Sequence, residues 1–178
     1  MIMTTTFTLR NLVVVTTLGL TASFAVDAAG PRESEMLAKA TVSLTQAAQI
    51  AEKQGAGKTI GAEFDVEKDK AVWEVKVLGG AGVKEYKIDA SSGAVVKVED
   101  EHIRGKLINF MTGMNLKDLE AVKTPLMQAV ATAEKKANGK AVKVHVEHER
   151  GGIQYDIFVR TGDKSEKIKI DAGTGQPK

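Results

Sequence analysis

The stretch Tyr86-Lys87-Ile88-Asp89-Ala90-Ser91-Ser92-Gly93 decides the fold, because it recurs 82 residues later as Ile168-Lys169-Ile170-Asp171-Ala172-Gly173-Thr174-Gly175. Working outward at the same offset, residues 44–93 align with 126–175 without a gap, and 16 of 50 positions are identical. A fixed offset indicates a duplicated folding unit, and this period is too long for a solenoid repeat. The sequence therefore predicts two copies of one module, over residues 42–100 (module 1) and 123–178 (module 2).

Each module is predicted to begin with a helix, because apolar residues recur at positions i, i+3, i+4 and i+7. These residues are Leu44, Ala47, Ala48 and Ala51 in module 1, and Leu126, Ala129, Val130 and Ala133 in module 2.

The ends of both helices also carry sequence signals. Ser43 with Gln46 predicts a capping box, and Thr124 before Pro125 predicts an N-cap followed by proline at the first helical position. Gly57 and Gly139 are predicted to end the two helices.

Strands are predicted after each helix, because residues 60–67, 73–77 and 85–89 alternate between apolar and polar. Period-2 alternation is typical of antiparallel sheets with one buried and one solvated face. The fold class is therefore α+β, with each module a helix packed on a three- to four-stranded antiparallel sheet. Residues 101–122 show a partly helical apolar pattern and are predicted to be a helical linker.

The composition of the chain argues against nucleic-acid binding and against any function that needs cysteine. The net charge is +2, and no run of Lys and Arg interleaved with aromatics indicates a nucleic-acid partner. The chain has no cysteine, which excludes disulfides, thiolate metal ligands, cysteine nucleophiles and a lipid anchor on cysteine.

The first 28 residues are typical of a secretory signal peptide. Arg10 is the only charge before Asp27, an apolar run follows from Leu12 to Leu20, and Val26-Asp27-Ala28 offers a cleavage site. The alternative is a retained membrane anchor, but the run is short for a span of about 20 residues. We expect a periplasmic or secreted protein with no membrane contact after cleavage.

The residues from Tyr86 to Val95 resemble the strand–turn–strand signature of PepSY domains, and Lys169 to Gly175 repeats it. The resemblance covers about residues 42–100 and 124–178. It implies a non-catalytic exported protein, with inhibition or regulation of an exported protease as the usual role. It also implies, for some tandem members, binding of metal ions including lanthanides. Module 2 departs from the signature at Ile168, and because the sequence stops at Lys178 its last strand is expected to be missing or supplied elsewhere.

Acidic residues alternate along the predicted strands of both modules, so their side chains share the solvated face about 6.6–6.8 Å apart. Hard cations such as calcium and lanthanides take six to eight oxygen ligands, often from carboxylates. We therefore expect a metal site, without an obligatory cofactor, for calcium or lanthanide ions. An acidic solvated face that only prevents aggregation is the alternative. The candidate ligands are Glu63, Asp65, Glu67 and Glu74 in module 1, and His145, Glu147, Glu149 and Asp156 in module 2.

Other chemistry-bearing residues have structural interpretations. Asp89 with Gly93, and Asp171 with Gly175, are predicted to form tight turns in which the carboxylate accepts backbone N–H bonds. His145 and His148 fall on opposite faces of a strand, which does not favour a shared metal ion. No catalytic triad, phosphate loop or dinucleotide fingerprint is present, so we expect no enzyme. Cation binding and contact with a partner such as an exported protease remain the two open functions.

Overall fold

A computed structural model describes residues 30–101, 114–149 and 151–178. Module 1 contains four strands that follow its helix, and module 2 contains three. The elements before the linker are α1 (Pro31–Lys39), α2 (Leu44–Gly55), β1 (Gly57–Glu67), β2 (Lys70–Gly79), β3 (Gly82–Asp89) and β4 (Val95–Asp100). Those after it are α3 (Leu116–Glu120), α4 (Leu126–Ala137), β5 (Lys140–Glu149), β6 (Gly152–Thr161) and β7 (Lys164–Asp171).

The two modules share one seven-stranded antiparallel sheet, in the order β4-β3-β2-β1-β5-β6-β7. The sequence predicts a sheet for each module but not their pairing through β1 and β5. This seam has three residue pairs: Gly61–His145, Ala62–Val144 and Glu63–Lys143. The 82-residue offset carries Ala62 onto Val144 and exchanges the other two pairs. The modules are therefore related by a pseudo-two-fold axis at the Ala62–Val144 pair.

The helices α2 and α4 cover one face of the sheet, as their apolar stripes predict. Leu44, Ala47, Ala48 and Ala51 of α2 are buried, as are Ala129, Val130 and Ala133 of α4. An aromatic residue fixes each helix start to the sheet: Trp73 Nε1 donates to Val42 O, and Tyr155 Oη donates to Thr124 O, both at 2.9 Å. Burying a large apolar side chain such as Trp73 stabilises the fold by about 1.5–3 kcal/mol.

The two helices start differently. Ser43 and Gln46 form the predicted capping box at α2. The prediction for α4 is wrong by one residue, because Pro125 is the N-cap with φ −59° and ψ 150°, and the helix begins at Leu126. Thr124 instead donates its backbone N–H to Ala172 O at 2.9 Å. This bond ties Thr124 to the turn after β7, so it does not act as the helix cap.

The helix stops also differ from the prediction. The left-handed residues that end α2 and α4 are Ala56 (φ 45°) and Asn138 (φ 52°), one position before the predicted glycines. Asn tolerates this conformation because its short polar side chain bonds locally. Gly57 and Gly139 serve close packing: a Cβ there would lie 2.3 Å from Leu78 O and Arg160 O, respectively.

Two predicted segments fall wholly or partly outside the described residues: the signal peptide (1–28) and residues 102–113 of the linker. The remainder of the linker contains α3, which begins with a capping box between Asn115 and Asp118. Helix α1, which buries Leu37, lies before the predicted module 1 and has no counterpart among the predicted elements. None of the helices in the described ranges is long and apolar enough to cross a membrane.

Candidate cation-binding site on the carboxylate face

The predicted ligands lie on the face of the sheet opposite α2 and α4, which we call the carboxylate face. The strand register pairs Glu63 with Glu74 and His145 with Asp156, so each pair points to the same side. Within β5, His148 pairs with Ile153 and projects to the other face from His145. The structure divides the eight predicted ligands into a cluster in each module and a pair at the seam.

The module 1 cluster consists of Asp65, Glu67 and Glu74, whose ligand oxygens all lie within 4.8 Å of one another. Lys87 on β3 lies among them, and its Nζ donates to Glu67 and, at 2.6 Å, to Glu74. The side chain of Lys87 is only 13% exposed. Its hydrogen bond lowers the pKa of Glu67, and the hydrogen bonds to Glu67 and then Glu74 raise the pKa of Lys87. Lys87 is therefore the internal counter-ion of this cluster.

The module 2 cluster consists of Glu147, Glu149 and Asp156, at positions equivalent to the module 1 cluster under the repeat. Here the buried amide of Gln154 lies among the carboxylates, with its Nε2 at 3.3, 2.9 and 3.0 Å, respectively, so its two N–H groups are shared among three acceptors. Lys167 forms an ion pair with Asp156, and Lys169 lies 3.6 Å from Glu149. This cluster is held by an amide and two lysines rather than by one lysine.

Glu63 and His145 lie at the seam, each opposite one cluster residue on the neighbouring strand: Glu63 opposite Glu74, and His145 opposite Asp156. Glu63 forms an ion pair with Lys143 across β1 and β5 at 2.7 Å. The ring of His145 packs edge-on against Phe158 with centroids 6.4 Å apart. Desolvation, together with the charge of Lys143, lowers the pKa of His145. Glu63 and His145, with Glu74 and Glu147, line a cavity of about 340 Å³ beside the pseudo-two-fold axis.

The alternation of acids along the strands does not reveal the polar groups that compensate them. Lys143 and Gln154 reach the acids only through the pairing of β1 with β5 and the register of β6. Lys76, on the same strand as Glu74, pairs instead with Glu85 at 3.4 Å. One signal was present: Lys87 and Lys169 occupy equivalent positions in the repeat.

The predicted turn residues form equivalent loops after β3 and β7. Asp89 Oδ1 accepts the backbone N–H groups of Ser91 and Ser92 at 3.0 and 2.8 Å, and Asp171 Oδ1 accepts those of Gly173 and Thr174, both at 2.9 Å. These bonds lower the pKa of both carboxyls, those from Ser92 and from Thr174 contributing most. Gly93 and Gly175 adopt positive φ, 75° and 71°. Both aspartates accordingly act in turn formation.

Comparison with protein families matches the peptidase propeptide and YPEB domain, PepSY, over residues 41–99 and 125–177. The chain belongs to the PepSY family. Both copies of the PepSY domain thus coincide with the internal repeat. No curated protein matches the chain significantly. Among solved structures, the chain is similar to a "putative lipoprotein" from Clostridium difficile, with 19% sequence identity, a TM-score of 0.46, and coverage of 78% of this chain and 91% of that one.

Proposed function

We propose that this PepSY protein is a non-catalytic, exported binding protein that takes a hard cation, a lanthanide or calcium, at the module 1 cluster. The observation that carries the proposal is the convergence of Asp65, Glu67 and Glu74 within 4.8 Å. Carboxylates that bind in bidentate fashion supply two oxygens each, so three carboxylates and a few waters satisfy the six to eight ligands that calcium prefers.

Electrostatics supports the exchange of Lys87 for a metal ion. Three carboxylates face one bridging ammonium, so the cluster keeps an excess of negative charge with Lys87 in place. Lys87 bonds Glu67 and Glu74 but not Asp65, whose Oδ1 accepts the backbone N–H of Val66. A divalent or trivalent ion would compensate all three carboxylates, and the flexible lysine stem allows its ammonium to withdraw toward solvent.

A terbium titration tests this proposal. Trp73 adjoins Glu74 and is the only tryptophan in the chain, so its excitation sensitises terbium bound at the module 1 cluster. We expect saturable luminescence that is lost in the double variant Glu67→Gln, Glu74→Gln. The matched control is Glu35→Gln on α1, which changes an exposed carboxylate that pairs with Lys39 and lies outside both clusters. The absence of luminescence, together with no calorimetric heat from lanthanum or calcium, would refute the proposal.

Contact with a partner protein, such as an exported protease, is the second candidate function. The specific observation in its favour is the exposed apolar surface of the edge strand β4, where Val96 is 59% and Val98 is 47% exposed. Exposed apolar residues on a strand edge are typical of sites that bind another protein. Measuring the inhibition of co-purified exported proteases by the wild type and by Val96→Lys, Val98→Lys tests this role. Equal behaviour of both proteins would argue against it.

A further inference from the structure

The contact between α2 and α4 pairs a side-chain amide with a methionine sulfur. Gln49 Nε2 on α2 donates to Met127 Sδ on α4. Met127 is 43% exposed, whereas Met114 is 2% exposed and Met36 is partly buried against the core. Among the methionines in the described ranges, Met127 is therefore the most accessible to a reagent in solution.

Duplication of the module does not account for this pair. The 82-residue offset carries Gln49 onto Ala131, and the equivalent of Met127 is Thr45. The pseudo-two-fold mate of the contact therefore lacks both the amide and the sulfur. A thioether is only a weak hydrogen-bond acceptor, so the amide of Gln49 is a poor match for the reduced side chain. The same donor suits a stronger acceptor at this place.

Oxidation of Met127 would supply that acceptor, because methionine sulfoxide is a polar group that carries an oxygen on the sulfur. The surroundings leave space for the added atom. Gln49 and Met127 both line a cavity of about 160 Å³ between α2, α3 and α4. The oxygen can therefore be accommodated without the overpacking that an extra atom causes in a close-packed core.

We propose that Met127 is an oxidation site whose sulfoxide is held by Gln49, so that oxidation by a peroxide strengthens the link between α2 and α4. A lone pair of Sδ attacks one oxygen of hydrogen peroxide, the S–O bond forms and the O–O bond breaks. Sulfur loses two electrons, which reduce the peroxide. The proton of the transferred hydroxyl moves to the departing hydroxide, which leaves as water. The site lies on the helix side of the sheet, so it is independent of the carboxylate face.

A time course with hydrogen peroxide, followed by peptide mapping in a mass spectrometer, tests the selectivity. We expect Met127 to take up one oxygen at least about tenfold faster than Met114, because buried Met114 reacts only through local opening. Met36 should react at an intermediate rate. Uptake at Met127 no faster than at Met114 would overturn the proposal.

The bond to the sulfoxide is tested in a chain in which leucine replaces the other methionines, a swap of similar volume. The hydrogens of the Gln49 side-chain amide are followed by NMR before and after oxidation. A hydrogen bond that contributes about 0.5–1.5 kcal/mol should slow their exchange with solvent about two- to tenfold. The melting temperature of the oxidised protein should be no lower than that of the reduced protein.

Two glutamine variants separate this bond from a general effect of oxidation. Gln49→Leu should still be oxidised at Met127 but should melt at a lower temperature afterwards, because leucine offers the sulfoxide no donor. The matched control is Gln54→Leu, at an exposed position of the same helix, which should respond as the unaltered protein does. Unchanged exchange at Gln49, or the same response from both variants, would contradict the proposed bond.

Discussion

Replacing Lys87 by Met should change two properties of the module 1 cluster in opposite directions: its contribution to stability and its affinity for cations. The substitution keeps a side chain of similar length but removes the ammonium that bonds Glu67 and Glu74. Asp65, Glu67 and Glu74 then face one another without their bridging cation. We expect the variant to be less stable than the wild type and to bind a hard cation more tightly.

The size of the destabilisation follows from burial. Lys87 is 13% exposed, while Glu74 and Glu67 are 26% and 43% exposed. Exposed ion pairs contribute about 0–1 kcal/mol and breaking a buried one costs about 3–5 kcal/mol, so two half-buried pairs are expected to cost about 1–3 kcal/mol. At pH 7 the raised pKa of Lys87 leaves it charged when folded, and its contribution is lost only as the pH rises through that value.

Urea denaturation with and without lanthanum measures both effects. A ligand at 100 times its dissociation constant stabilises the native state by about 2.7 kcal/mol, which is enough to offset the deficit of Lys87→Met. The matched control is Lys169→Met, because Lys169 is 41% exposed and lies 3.6–3.8 Å from its carboxylates, so its loss should cost less than about 1 kcal/mol. Equal costs for the two variants would contradict the account of Lys87 as an internal counter-ion. A Lys87→Met deficit that lanthanum leaves untouched would contradict the cation site.

Three further substitutions test local features. Gly139→Ala should lower stability by about 1–3 kcal/mol because its Cβ would meet Arg160 O, while Gly80→Ala, with nothing within 4 Å, should be neutral by urea denaturation. Thr59→Val should raise the free energy of unfolding by about 1 kcal/mol, because Thr59 Oγ1 is buried without a hydrogen-bond partner among the described residues; a lower urea midpoint would count against this. Asp89→Asn should be less stable than the wild type above pH 3.8, and the difference should vanish as the pH falls through the lowered pKa of Asp89. A difference that does not shrink as the pH falls below 3.8 would show that charge is not its cause.

Sequence reasoning succeeds where a local pattern has one structural solution. The alternation of residues 60–67 places Glu63, Asp65 and Glu67 on one face whatever strand lies beside them. The spacing from Leu44 to Ala51 likewise gives the buried side of α2 without reference to the sheet. The repeat strengthens both predictions, because the same helix and strand patterns recur in module 2 with different neighbouring residues.

The seam and the counter-ions could not be found in this way. Ala62 and Val144 suit the interior of any sheet, and nothing in them specifies that β1 and β5 pair with each other. The requirement for glycine at position 139 depends on the backbone of Arg160, which excludes a side chain there and is brought close only by the folded sheet. Lys143 reaches Glu63 only once the seam exists.

The geometry of the seam also predicts how many cations the chain takes. Asp65 lies three residues beyond the axis at Ala62, and Glu147 lies three residues beyond Val144, but β1 and β5 run in opposite directions. At about 3.3 Å per residue, Asp65 and Glu147 lie about 20 Å apart along the strands, so no single ion joins these two carboxylates. If the module 2 cluster binds at all, it does so as a second site, and weakly, because the amide of Gln154 and two lysines already compensate its carboxylates. Glu67→Gln with Glu74→Gln should therefore abolish the stronger calorimetric binding event with lanthanum and leave any weaker event unchanged. Loss of both events together would show that the ions bind at the seam, where Glu63, Glu74, His145 and Glu147 line one cavity.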